Sequence, residues 1–151
     1  MGPVFRKLNL KDHDPVVVLR APGEFEPEVA ALEGRSVVRE AAAATGFPFA
    51  IAFARDRTEL DGVCADLVAH AAEGDPVVWV AYPKKSSKRY RADFDRDRGW
   101  DVLGAAGFEP VRQVAIDADW SALRFRRVDQ VKTLTRSKAM ALSEEGKRRG
   151  R

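Results

Sequence analysis

A single cysteine, Cys64, and two histidines, His13 and His70, are all the thiol and imidazole chemistry in this 151-residue chain. One thiol cannot close an internal disulfide, and a cysteine-based metal site needs several. The histidines lie far apart, with no ligand partner at a useful spacing, so no metal is expected. Glycine is scarce where it would matter most. The turn after the first apolar run, Arg20-Ala21-Pro22-Gly23-Glu24-Phe25, has one glycine and a proline that removes a donor. Dinucleotide and methyl-donor folds use a glycine-rich turn there, so that backbone can approach the ligand. No Gly-x-Ser-x-Gly turn and no Walker loop occurs, so no cofactor and no catalytic residue is expected. Long hydrophobic runs are missing too. The longest are strand-sized, well short of the about 20 residues of a membrane span. Met1–Lys7 lacks the apolar stretch of a signal peptide. The expected setting is therefore the cytoplasm, away from membranes.

Apolar residues make up 45% of the chain and charged residues 32%, which suits a globular domain with a real core. The net charge is only +3, which argues against a dedicated nucleic-acid binder. The positive charge is nevertheless clustered. Residues 84–91 carry Lys84, Lys85, Lys88, Arg89 and Arg91 with no acid, and the C-terminal segment is also basic.

Pro15–Arg20, Phe47–Ala54 and Pro76–Tyr82 read as β-branched or apolar strands buried on both faces, with Ser36–Glu40 a weaker strand. Phe25, Val29 and Leu32 fall on one helical face. Leu60, Val63, Cys64, Leu67, Val68 and Ala71 form the clearest amphipathic helix, opened by Asp56 and Glu59 as a capping pair. Asp95 or Asp97 is expected to cap a further helix through Trp100 and Leu103. Val111–Ile116 and Ala122–Val128, joined by a short polar turn, must be antiparallel. Phe5, Leu8 and Leu10 are expected to pack against the sheet edge. Strands separated by helices imply right-handed crossovers. The expected fold class is therefore α/β, a three-layer sandwich around a mostly parallel Rossmann-like sheet of about six strands. It ends in an antiparallel hairpin, with order 2-1-3-4-6-5. Residues 1–130 should form a single α/β domain, and 131–151 a basic, partly disordered tail.

The segments Val16–Pro22, Phe53–Glu59, Val78–Ser87 and Trp120–Arg124 together resemble a family of small bacterial α/β proteins catalogued as domain of unknown function 3052. The Trp-x-x-x-Pro-Lys and Trp-Ser-Ala-x-Arg pieces carry most of that resemblance. It spans roughly residues 5–128, most of the one domain expected at this length. It implies an α/β fold and a bacterial cytoplasm, and no reaction.

The leading functional candidate is an anion site made of Lys84, Lys85, Ser86, Ser87, Lys88, Arg89 and Arg91, on the loop leaving the fourth strand. Such loops hold ligands in open α/β sheets, and the following helix start would favour negative charge. The competing reading is a solvated loop whose cations pair with Asp93, Asp95 and Asp97. Ser121 and Arg124 would join the site if the terminal hairpin places them beside Pro83. Cys64, on the apolar face of its helix, reads as core. The chain is thus expected to be a non-enzymatic binding or interaction module. Its partner would be a phosphorylated small molecule or a protein, with only weak binding of nucleic acid. The alternative is a divergent small-molecule transferase with a methyltransferase-like core.

Overall fold

Four consecutive β-branched or leucine residues, Val16–Leu19, form strand β1, and every one is buried. The structure, a computed structural model, describes residues 1–131. The other strands are β2 (Val37–Val38), β3 (Phe49–Phe53), β4 (Val77–Pro83), β5 (Phe108–Ala115) and β6 (Trp120–Arg127). The helices are α1 (Pro3–Lys7), α2 (Glu26–Ala30), α3 (Arg57–His70) and α4 (Asp101–Ala105). All six strands join one sheet in the order β2-β1-β3-β4-β6-β5. The first four run parallel, and β6 pairs antiparallel with both β4 and β5. This is the expected order, including the antiparallel ending.

Both faces of the sheet are covered. On one, α3 and α4 bring Leu60, Val63, Leu67 and Leu103 onto Ala50, Ala52, Val78 and Val80. On the other, α1 and α2 bring Phe5, Leu8 and Val29 onto Val18, Ile51 and Trp79. The three layers explain why β1, β3 and β4 read as unbroken apolar runs, since neither face can be polar. Phe5, Leu8 and Leu10 lie over the sheet's face and not along its edge. The Trp79 indole N–H donates to the Leu8 carbonyl at 2.9 Å, tying the N-terminal arm to the middle strand.

α3 is built as its sequence suggests. The Asp56 side chain accepts from the Glu59 amide at 2.8 Å. Glu59 reaches back to the Arg55 amide at 2.9 Å, one residue before the usual partner in a capping box. Other expectations need correction. β2 shrinks to two half-buried valines, because among the described residues it pairs only with β1. The helix expected from Asp95 or Asp97 starts only at Asp101 and has no side-chain cap. Asp95 instead accepts from the Asp97 amide at 2.9 Å, while its carbonyl receives the Trp100 indole N–H at 2.9 Å. Those local bonds hold 95–100 in a tight loop. β5 begins three residues earlier than expected, at Phe108. It passes through Pro110, which is tolerated here on an edge strand and beside a bulge. Apart from Val131, the expected basic tail lies outside the described residues.

Candidate functional site

From β1 the chain winds through α2 to β2 on one side, whereas from β3 it winds through α3 to β4 on the other. The connections therefore diverge between β1 and β3. In open α/β sheets this divergence opens a crevice at the C-terminal ends of the strands. Beside it, between the ends of β1 and β2 and helix α3, lies a cavity of about 620 Å³, lined by Arg20, Arg39, Glu40, Thr58, Glu59 and Asp66 among others. A smaller depression of about 240 Å³, between Arg20, Pro22, Arg55 and Trp120, continues it along the strand ends.

Arg20 ends β1 in a left-handed conformation, with φ of 56°, which is uncommon for a residue with a side chain. That turn sends the chain into the 3-10 turn Gly23–Phe25 and leaves the guanidinium beside α3. Arg20 Nη2 donates to Glu59 Oε2 at 2.8 Å. Arg55, at the end of β3, donates to the same carboxylate through Nε at 3.2 Å and Nη2 at 3.1 Å. Burial pushes the Glu59 pKa up, but the bonds from the Arg55 side chain and amide and from Arg20 outweigh it, and hold the value at about 2. Glu59 is thus an anionic clamp between two strand ends. Arg39 is similarly occupied by Glu26, at 2.7 and 2.8 Å. Glu40 and Thr58 remain exposed on the rim.

Loop 84–91 follows β4 along the same edge and folds back towards the turn after β1. Glu24 is the junction. It accepts from the Tyr90 hydroxyl at 2.7 Å and the Trp120 indole N–H at 3.1 Å, and Arg89 lies 3.6 Å away. Burial acts to raise its pKa, yet these donors, Tyr90 foremost, keep it below the usual carboxylate range. The Tyr90 ring also packs on Trp120, centroids 4.9 Å apart. The loop root is fixed by Asp119, which takes the Lys84 amide on its carbonyl and the Ser87 hydroxyl on its carboxylate, both at 2.8 Å.

The expected anion residues therefore divide. Arg89 and Ser87 are engaged by Glu24 and Asp119, and Lys85 reaches Asp95 at 3.4 Å. The side chains of Lys84, Lys88 and Arg91 have no hydrogen bond or ion pair to a described residue. Ser86 is exposed. Lys84, Ser87, Tyr90 and Arg91 border a hollow of about 370 Å³. No helix start adds to it, since α4 is five residues long and begins ten residues beyond the loop. Ser121 and Arg124 do not sit together with this loop. Ser121 stands opposite Tyr82, on the α3 face, and is buried. Arg124 stands opposite Trp79, on the other face and four rungs back from Pro83. A spacing of three along a strand puts two side chains on opposite faces.

Cys64 is buried, and burial together with nearby Asp61 pushes its thiol to about 12, so it is core and no nucleophile. His70 Nδ1 lies 2.9 Å from the Thr45 hydroxyl. His13 Nδ1 accepts from the Lys11 amide at 3.1 Å. Among the described residues no cluster of three His, Cys, Asp or Glu is placed to hold a metal ion. No helix among them is long and apolar enough to cross a membrane. Sequence reading missed Arg20, Glu24, Arg55 and Glu59 as site residues. The available signal was their position, each within a few residues of the C-terminal end of β1 or β3.

Strand order and winding define a doubly wound, Rossmann-like α/β protein. Solved structures with a related arrangement include that of the pyocyanin biosynthetic protein PhzM, at 13% identity and a TM-score of 0.49. The match covers 83% of this chain and 54% of that one, so this chain spans about half of that protein's length. No family model and no curated protein matches the chain.

Proposed function

We propose that this chain is a non-catalytic small-molecule-binding domain whose ligand lies in the crevice between the ends of β1 and β3. The observation that carries the proposal is the cavity of about 620 Å³ beside the divergence of the two windings, between the ends of β1 and β2 and the first turns of α3. That volume falls in the range of small-ligand pockets, and the place is where such sheets bind ligands. Its polar groups without a hydrogen bond or ion pair to a described residue, the Glu40 and Asp66 carboxylates and the Thr58 hydroxyl, suit a ligand rich in hydroxyl groups. The neighbouring arginines are held by Glu59 and Glu26, so they shape the wall more than they attract charge. Native mass spectrometry of the purified protein, followed by calorimetry with any ligand it releases, is the test. Glu40→Gln should weaken binding about tenfold or more, as loss of a charged hydrogen bond does. Unchanged affinity in that variant places the ligand elsewhere and ends this reading.

A divergent transferase using a nucleoside cofactor is the second reading. Glu40 favours it, because it ends β2, where dinucleotide folds place the acid that binds a ribose hydroxyl. The turn at 20–25, with Pro22 and a single glycine, opposes it. Calorimetry with S-adenosylmethionine and nicotinamide dinucleotides separates the two, and micromolar binding of either would favour the transferase. The hollow at Lys84 and Arg91 is proposed as an accessory anion site along the same edge. There Lys84→Ala with Lys85→Ala should lower both the affinity for a phosphorylated ligand and its salt dependence. Family membership in domain of unknown function 3052 and a cytoplasmic setting complete the proposal. They rest on the sequence segments quoted above.

A further inference from the structure

A second group of cations lies away from the crevice, on the α1–α2 face of the terminal hairpin. Along β5 and β6 the pairing runs Pro110 with Phe125, then Arg112 with Arg124. Val111 is therefore the extra residue of a β-bulge. Without the bulge, Val111 would face Arg124. With it, two arginines stand directly opposite one another. Bulges commonly re-aim a side chain at a site, and like charges opposed across strands are destabilising.

Among the described residues no carboxylate pairs with either arginine. Asp75, whose charge acts on Arg124, is taken by Arg126 at 2.6 and 3.0 Å, and the buried Glu109 stands opposite Arg126, one pair along from Arg124. Arg35 spends Nη1 on the carbonyls of Lys11 and His13, at 2.8 and 3.1 Å. Burial lowers the pKa of His13, Asp12 opposes this, and Arg35 and Arg124 are close enough to add to the depression. On its inner side Arg124 adjoins Trp79, an apolar wall. The Arg124 Nε is enclosed and has no hydrogen-bond partner, an expensive state for a charged donor. Burial, and then Arg126, lower the pKa of Arg124, with Asp75 opposing and Arg112 adding to the depression. Arg112 itself has no hydrogen bond or ion pair to a described residue.

We propose that the bulged pair Arg112–Arg124 is a binding site for a phosphate group, which bridges the two guanidinium forks. A tetrahedral dianion neutralises both charges and accepts from the guanidinium N–H groups that face solvent. Planar forks bind such oxygens in pairs. The group comes either from inorganic phosphate or from a phosphorylated metabolite. The site does not depend on the crevice, so it can stand or fall separately from the proposed function.

The test uses the full chain at pH 7.5, with inorganic phosphate titrated against sodium chloride at matched ionic strength. Thermal unfolding and the Nε–Hε resonance of Arg124 are the readouts. Phosphate should raise the midpoint saturably, as any ligand of the folded state does, and should move that resonance. Arg112→Gln, on an exposed edge-strand position, should abolish the movement of the Arg124 resonance, reduce the phosphate-induced rise and raise the midpoint of the ligand-free protein. Lys84→Ala with Lys85→Ala should leave the movement of the Arg124 resonance in place. Ribose 5-phosphate compared with inorganic phosphate identifies the source: at least about tenfold tighter binding assigns a metabolite, and equal binding assigns the free ion. A chloride response equal to that of phosphate, or a phosphate-induced shift of the Arg124 resonance that survives Arg112→Gln, overturns the proposal.

Discussion

Glu59→Gln is the most direct probe of the clamp that holds the crevice together. The carboxylate caps α3 through the Arg55 amide and receives both Arg20 and Arg55. Its own side chain is 16% exposed, but those of Arg20 and Arg55 are 48% and 53% exposed. A fall in pKa from 4.5 to about 2 would correspond to about 3 kcal/mol if the whole shift were realised. Solvent screening around the exposed arginines reduces this, because exposed pairs each give about 0.2–1 kcal/mol. Adding the cap leaves about 1–2 kcal/mol at pH 7. For a domain of this size that lowers the thermal midpoint by roughly 3–8 °C. The sign of the pH dependence follows from the depressed pKa. The stabilisation is fully present above the unfolded value near 4.5, and is lost as pH falls towards about 2. Thermal unfolding of wild type and variant, followed by circular dichroism from pH 7 to pH 3, should show a gap that is constant above about pH 5 and narrows below it. A gap that stays the same down to pH 3, or no gap at pH 7, refutes the clamp.

Trp79→Ala should cost about 3–5 kcal/mol in a urea titration, since the ring is fully buried and its N–H anchors Leu8; a loss under about 1 kcal/mol would mean that the arm does not depend on it. Tyr90→Phe should speed amide exchange at Ser87, Arg89 and Tyr90 while lowering global stability by only about 0.5–1.5 kcal/mol, and unchanged exchange would show that the Glu24 junction does not hold the loop. Cys64 should resist Ellman's reagent in the native protein and react fully in denaturant, because the thiol is buried with a pKa near 12. Rapid native labelling would take it out of the core.

Much of the fold was legible because it follows from local rules. The runs 16–19, 49–53 and 77–83 could only be strands covered on both faces. The pattern from Leu60 to Leu67, with Asp56 before it, could only be a capped helix. The short turn between β5 and β6 forced them antiparallel. Where local bonding competed, reading failed. Asp95 and Asp97 looked like helix caps, and a tight loop claimed Asp95 instead. Part of the solvated reading of the basic loop holds for Lys85, which pairs with Asp95. Arg89 and Ser87 found Glu24 and Asp119, 65 and 32 positions away in the chain; no local rule reaches that far.

The amino-acid order alone thus determined the α/β class, the strand order and the core residues. Period and turn chemistry act between near neighbours, and crossover handedness removes most alternatives. Only the tertiary structure decided where the site lies. Arg20, Arg55 and Glu59 meet because β1 and β3 become adjacent while their helices leave in opposite directions. Ser121 and Arg124, close in sequence, part because a strand sends odd and even positions to opposite faces. The facing of Arg124 by Arg112 depends on one extra residue, Val111, in a partner strand. Charges converge or separate through register and layer packing, which are properties of the whole sheet and of no single segment.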